Sequence, residues 1–163
     1  MSHKDSLDRI DLKILQALQE DAQIKIRMLA DRVALSPSAC LRRVHDMEAR
    51  GLITGYWAHV AIDRIRTVTI VIALVCFERH SVGRFVAFDE WAQQTPEIVE
   101  SVRISGQYDY MLRVVVSDIH DWKRIMREMT ARDFGVEKIV SSFLMDDVKS
   151  FTGYPLVPSG NRD

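Results

Sequence analysis

Cysteine is scarce in this chain. There are two, Cys40 and Cys76, far apart and without a CxxC or Cys/His spacing, which argues against a disulfide framework and against a zinc site. Both are read as small buried apolar residues. Five histidines (His3, His45, His59, His80, His120) form no HxxxH or HxH pair, so the spacings that usually hold a metal are missing and no metal or cofactor is expected. Four prolines and seven glycines lie scattered, unlike a low-complexity or disordered chain. No run approaches the roughly 18 apolar residues of a membrane span, and the N-terminal stretch carries charge where a signal peptide needs an apolar core. A cytoplasmic chain with no membrane partner is expected. An excess of positive charge is missing too: 22 Lys and Arg against 23 Asp and Glu give a net charge of −1, unlike a nonspecific nucleic-acid binder. If DNA is bound, a few placed residues must do it. GxSxG, P-loop and paired-carboxylate patterns are absent as well, so no enzyme is expected.

What is present is a globular composition, 47% apolar and 28% charged over 163 residues, enough for one ordinary domain or two small ones. Leu7, Ile10, Ile14, Leu15 and Leu18 recur at three- and four-residue spacing and predict a first helix starting near Ser6. Ile26, Leu29, Ala30 and Val33 predict a short second one. Ser36 can cap the exposed amides of a third helix and Pro37 suits its first position, where no amide bond is needed. That helix is expected to bury Leu41, Val44 and Met47 and to stop at Gly51, with Ser38, Arg42, His45 and Arg43 on its other face. Three helices with a short turn between the second and third make a helix-turn-helix pattern.

Beyond Leu52 the periodicity changes. Residues 53–66 read as an extended segment with a connector, so the domains are placed at 1–61 and 62–163. There follow a strand from Val68 to Phe77 and a helix from Ser81 to Gln93 with Val82, Phe85, Phe88, Trp91 and Ala92 inward. Strands are expected over Ile98–Ile104 and Asp109–Val116, then a helix capped by Asp118 with Ile119, Trp122, Ile125, Met126 and Met129 inward, and a last strand Val136–Met145. The order βαββαβ predicts an α+β, ferredoxin-like domain, an antiparallel sheet with two helices on one face. The first strand is apolar on both sides: Val68, Ile70, Ile72, Leu74 and Cys76 on one, Val71, Ala73, Val75 and Phe77 on the other. At roughly 25 cal/mol per Å², exposing that second face would forfeit several kcal/mol, so a sheet-to-sheet homodimer is inferred. The tail from Thr152 to Asp163 is expected to be loose or draped on a partner.

A helix-turn-helix sets the start of its second helix in the major groove, which nominates Ser36, Pro37, Ser38, Ala39, Arg42, Arg43 and His45 for double-stranded DNA. On residues alone a second reading stays open, in which the arginines only solvate a helix face. Likewise Ser105-Gly106-Gln107-Tyr108-Asp109 reads on its own as a β-hairpin turn, with Gly106 supplying a positive φ.

The string Leu35-Ser36-Pro37-Ser38-Ala39-Cys40-Leu41-Arg42-Arg43-Val44, followed by Glu48, Gly51, Leu52 and Ile53, closely resembles the recognition segment of the leucine-responsive regulator and asparagine regulator (Lrp/AsnC) family. Ser105-Gly106-Gln107-Tyr108-Asp109-Tyr110 is similar to that family's effector loop of glycine, two variable residues, aspartate and an aromatic. The resemblance spans Leu7 to about Lys149. It implies a bacterial or archaeal, nucleoid-associated transcription regulator with a three-helix winged helix-turn-helix domain and a βαββαβ sensor domain. It also implies dimers that assemble further, often to octamers, and an amino-acid effector. The positions it carries over to effector binding are Ser105, Gly106, Gln107 and Asp109, with Tyr110 on the adjoining strand and Ser141, Ser142 and Met145 on a facing wall. Gly106 would let backbone groups approach the ligand and Asp109 would accept bonds from its α-ammonium group. Two other readings are kept: an architectural or orphan DNA binder without effector, and an enzyme like the haem-precursor decarboxylases of similar architecture, against which stands a loop without histidine.

Overall fold

The computed structural model describes residues 7–78 and 82–156. The chain divides into two compact units, the first running to His59 and taking back the tail from Lys149, the second spanning Val60–Val148. Among the described residues, the stretch 149–156 groups with the helices in this division, whereas the sequence places it in the second domain, 62–163. Inside that unit Gln19 and Tyr154 exchange two bonds: the Gln19 amide donates to the Tyr154 carbonyl at 3.1 Å, and the Tyr154 backbone N–H donates to Gln19 Oε1 at 2.6 Å.

The first unit holds α1 (Arg9–Glu20), α2 (Ile26–Arg32) and α3 (Pro37–Ala49) around Ile14, Ala17, Leu29, Ala30, Cys40, Val44 and Met47. α1 begins on a capping box: the Asp8 carboxylate accepts from the Ile10 and Asp11 amides, and the Asp11 side chain accepts from the Asp8 amide. The expected start at Ser6 falls outside the described residues. α3 starts where Ser36 and Pro37 place it, with the Ser36 hydroxyl accepting from the Ala39 amide, and ends before Gly51, which takes φ +70°. The turn between α2 and α3 puts Ala34 at φ +56°, a left-handed conformation that costs a side chain with a Cβ about 1–2 kcal/mol. Leu41, expected inward, is exposed, and Cys40 occupies the core instead. Between α3 and Ile62 the described residues form no strand. The segment expected to be extended ends in a 3-10 turn, Ile62–Arg64, because it finds no neighbouring strand to pair with.

The second unit is a four-stranded antiparallel sheet in the order β2-β3-β1-β4, built from β1 (Thr69–Phe77), β2 (Ile98–Arg103), β3 (Tyr110–Val116) and β4 (Val136–Phe143), with α4 (Val82–Gln94) and α5 (Ile119–Ala131). The period-2 alternation sends Val71, Ala73, Val75 and Phe77 into the helix-covered core beside Tyr110, Leu112, Val114 and Val116. An aromatic group forms there: Phe88 lies 5.2 Å from Phe77, 4.7 Å from Tyr110 and 5.5 Å from Phe134, ring centre to ring centre. Asp118 caps α5 as expected, accepting from the His120 and Asp121 amides. Val82 and Ile119, expected inward, lie exposed in the first turns of their helices. β4 stops at Phe143 rather than Met145, because its partner β1 begins at Thr69 and offers only one more bond, from the Leu144 amide to the Ile70 carbonyl.

The opposite face of the sheet carries Ile70, Ile72 and Leu74 of β1. Beside them in register stand Met111, Arg113 and Val115 of β3, Val102 of β2, and Val140 and Ser142 of β4. Cys76 lies here too and is half-buried, not interior. Burial pushes its thiol above the ordinary range, with the nearby Asp109 and Glu137 carboxylates adding to the effect. No described helix covers this face, and no described helix is long and apolar enough to cross a membrane.

Candidate functional site

On α3 the three- and four-residue spacing brings Ser38, Leu41, Arg42 and His45 onto one exposed face. Ser36 and Pro37 sit at the turn that starts it, and Ala39 is half-buried beside them. The Ser36 hydroxyl is engaged in capping, at 3.3 Å from the Ala39 amide and 3.2 Å from Ser38 Oγ. Arg42 makes no hydrogen bond or ion pair among the described residues, so its guanidinium is available to an incoming acceptor.

Arg43 is placed differently from its neighbour. Its Nη1 donates to Asp8 Oδ2 at 2.7 Å and to Asp11 Oδ1 at 2.6 Å, tying α3 to the capping box of α1. Those bonds, the one to Asp11 first, hold its pKa above the ordinary value. The Asp8 carboxyl sits below its ordinary range, chiefly through the Asp11 amide and then through Arg43. Arg43 therefore positions the helix on which Arg42 is displayed. The two arginines separate experimentally. Arg42→Ala should weaken binding to a cognate duplex by about 1–3 kcal/mol, the worth of one good bidentate base contact, with no change in melting temperature. Arg43→Ala should lower the melting temperature by several degrees and, measured below that transition, cost far less affinity. Fluorescence anisotropy and a thermal melt on both variants check this.

In the second unit Ser105, Gly106 and Gln107 are exposed at the β2–β3 loop, where Gly106 takes φ +122° and a Cβ added to it would meet nothing within 4 Å. That φ is open to glycine and strained for other residues, and the open space above it suits a bound molecule. Asp109 serves the backbone around it. Its Oδ2 accepts the Phe77 amide at 2.9 Å, its amide donates to the Val75 carbonyl, and its carbonyl accepts from Ile104. It fastens the loop to the end of β1.

The other nominated residues do not gather at this loop. Tyr110 points the opposite way from the open face, into the core, and is 1% exposed. Its hydroxyl donates to Asp89 Oδ1 at 2.7 Å and accepts from Arg103 Nε at 2.8 Å, and burial with the Asp89 bond pushes its pKa up to about 12. Ser141 also faces the helices, accepting from the Trp122 indole N–H at 3.1 Å, so alternation puts Ser142 on the other side. Ser141 lies opposite Ala73 at the middle of β1 and Ser142 opposite Ile72 beside it, whereas the loop lies at the end of β1 beside Val75 and Phe77. Met145 lies past β4 and is 88% exposed. Ser141 and Ser142 thus face opposite sides of the sheet and do not share one wall.

What sequence reasoning missed is the cluster of Asp89, Arg103 and Tyr110. Arg103 bonds Asp89 through Nη2 and lies over the rings of Phe85 and Tyr110, at 5.1 and 5.6 Å. Residues 14 apart on a helix and a strand give no linear signal. Among the described residues no group of three or more His, Cys, Asp and Glu could hold a metal ion.

Comparison with known proteins agrees with both halves of this geometry. Residues 7–54 match a family model described as winged helix-turn-helix DNA-binding, and residues 70–154 match the Lrp/AsnC ligand binding domain. The chain is 35% identical over 150 residues to the Bkd operon transcriptional regulator of Pseudomonas aeruginosa, covering 92% of this chain and 98% of that one. It is 34% identical over 143 residues to the leucine-responsive regulatory protein of Escherichia coli, covering 88% and 87%. Among solved structures, an AsnC family transcriptional regulator from Agrobacterium tumefaciens superposes with a TM-score of 0.83 at 36% identity, covering 92% and 97%. A transcriptional regulator of Neisseria meningitidis in complex with L-Met does so with a TM-score of 0.84 at 30% identity, covering 93% and 97%.

Proposed function

Because the chain belongs to the Lrp/AsnC family of transcriptional regulators, we propose a division of labour for a DNA-binding regulator that responds to an amino acid. α3 enters the major groove with Ser38, Ala39, Arg42 and His45 toward the base edges, while the backbone at Ser36 and Pro37 approaches phosphate. Leu41, exposed on the same face, meets a thymine methyl group. The observation that carries this reading is the Arg42 guanidinium, unpaired among the described residues and displayed on a helix whose other arginine is locked into the fold.

The open sheet face closes against its equivalent in a second copy. A two-fold axis through a face of Ile72, Leu74, Met111, Val115 and Val140 sets apolar surface against apolar surface. Dimers of this kind carry two reading helices, suit paired half-sites, and assemble further, to an octamer. The amino acid binds at Ser105, Gly106 and Gln107. Ser142, on the open sheet face opposite Ile72, and Met145, past the end of β4, come to that loop from another copy. Binding is allosteric where the ligand prefers one assembly of dimers over another. The reading is of a regulator and not of an enzyme.

A thermal-shift screen of the full chain against the twenty amino acids tests the sensor, with methionine first because one solved neighbour carries L-Met. A ligand at a hundred times its Kd stabilises the folded state by about 2.7 kcal/mol. The expected result is a clear shift that shrinks in Gln107→Ala. No shift with any of the twenty would leave a regulator without an amino-acid effector, reading or coating DNA constitutively.

A further inference from the structure

A cleft of about 410 Å³ opens between α4 and β2, apart from the exposed tip of the 105–109 loop. Its walls are Asp89, Arg103 and Tyr110 at one side and Ala92, Ile98 and Val99 at the other. At the small end of the range for ligand pockets, it has room for a small metabolite.

Arg103 is held rigid. Nε donates to the Tyr110 hydroxyl at 2.8 Å, Nη2 donates to Asp89, and the guanidinium lies over two aromatic rings. Nη1 has no partner among the described residues, and the side chain is 55% exposed. A planar cation immobilised on three sides with donors to spare is preorganised for a carboxylate, since little of its side-chain freedom remains to be lost on binding. The cluster is not a simple anion trap, however. Asp89 balances the charge of Arg103, and although Glu100 borders the cleft its carboxylate pairs with Arg113, on the open sheet face, at 3.5 Å. A neutral pair beside an aliphatic wall selects a ligand that is itself neutral overall but carries both charges.

The geometry points to this cleft as a binding site for the zwitterion of an aliphatic α-amino acid, its carboxylate on Arg103, its ammonium on Asp89 and its side chain against Ala92, Ile98 and Val99. This rests on the reading that the second unit binds amino acids, and adds a site distinct from the loop tip. Arg103 and Tyr110 flank the loop on β2 and β3, so occupancy of the cleft bears on the strands that hold the loop.

Isothermal titration of the full-length chain with L-leucine and L-methionine tests the site, with N-acetyl-L-leucine and L-leucine methyl ester as the ligands that each lack one charge. Leucine or methionine should bind, and each capped form should bind at least tenfold more weakly than leucine. Arg103→Lys, which keeps the charge but loses the fork, should cost at least tenfold. Val99→Trp, which fills the cleft from an exposed position and leaves the Asp89 cluster intact, should remove the cleft's share of the binding and leave only what the loop contributes, with circular dichroism confirming that both variants fold. Binding that is unchanged in Arg103→Lys and Val99→Trp would overturn the cleft while leaving amino-acid sensing at the loop standing. Binding of neither amino acid to the wild type would overturn the cleft as well, and the screen of all twenty would then decide whether the sensing reading falls with it.

Discussion

Leu74→Asp should convert the proposed dimer to a monomer and lower its affinity for a paired-half-site duplex by about 10²–10⁴-fold, the gain that simultaneous engagement of two sites confers. Leu74 stands opposite Met111 on β3 and Val140 on β4, in the middle of the uncovered sheet face. Across a two-fold axis one substitution places two carboxylates against an apolar surface, and neither has a partner to offset its loss of water. The same side chain lies outside the helix-covered core, so the monomer should keep its secondary structure. Sedimentation velocity reads the mass and anisotropy reads the affinity. A Leu74→Asp protein that still sediments as a dimer would remove this face from the assembly.

Trp122→Ala should lower the melting transition of the second unit by about 10 °C or more. Trp122 is 1% exposed and packs from α5 onto the sheet, so its truncation removes a large part of the core at a cost of about 3–5 kcal/mol. Its indole N–H also leaves the Ser141 hydroxyl without its donor. For a unit of fewer than about 100 residues each kcal/mol is worth about 4–8 °C. Trp122→Phe keeps most of the ring contact and should lose only about a third as much. Calorimetry of the two variants checks the ratio, and equal losses would mean that the hydrogen bond rather than the packing dominates.

Much of the fold was legible because its signals are local. Ser36 and Pro37 mark the start of α3 by cap chemistry alone, Asp118 does the same for α5, and the alternation along β1 separates core from open face without any neighbour being known. The failures have equally local causes. Leu41, Val82 and Ile119 obey helical spacing yet sit exposed, because spacing identifies an apolar stripe but not how far the covering layer extends over it. α1 takes its cap from Asp8 and Asp11, later than the apolar periodicity suggested.

The candidate site was legible as two strings and not as an arrangement. Arg42 and Arg43 are adjacent and chemically identical, and only the position of α1 reveals that one is tethered and the other displayed. Ser141 and Ser142 were nominated together although consecutive strand residues face opposite ways, a conflict that the period of the strand already contained. Asp109 carries the family's loop pattern and yet serves the backbone of β1, since a carboxylate beside a strand end meets amide donors before it meets a ligand.

The claim on which all else depends is that α3 reads DNA sequence. Selection from a randomised duplex library at about 0.15 M salt, near physiological ionic strength, tests it most directly. The account predicts enrichment of two-fold symmetric sites with half-sites about one helical turn apart or a multiple of it, and loss of that enrichment with Arg42→Ala. Retention of DNA without any enriched sequence, or the same enrichment by Arg42→Ala, would contradict it.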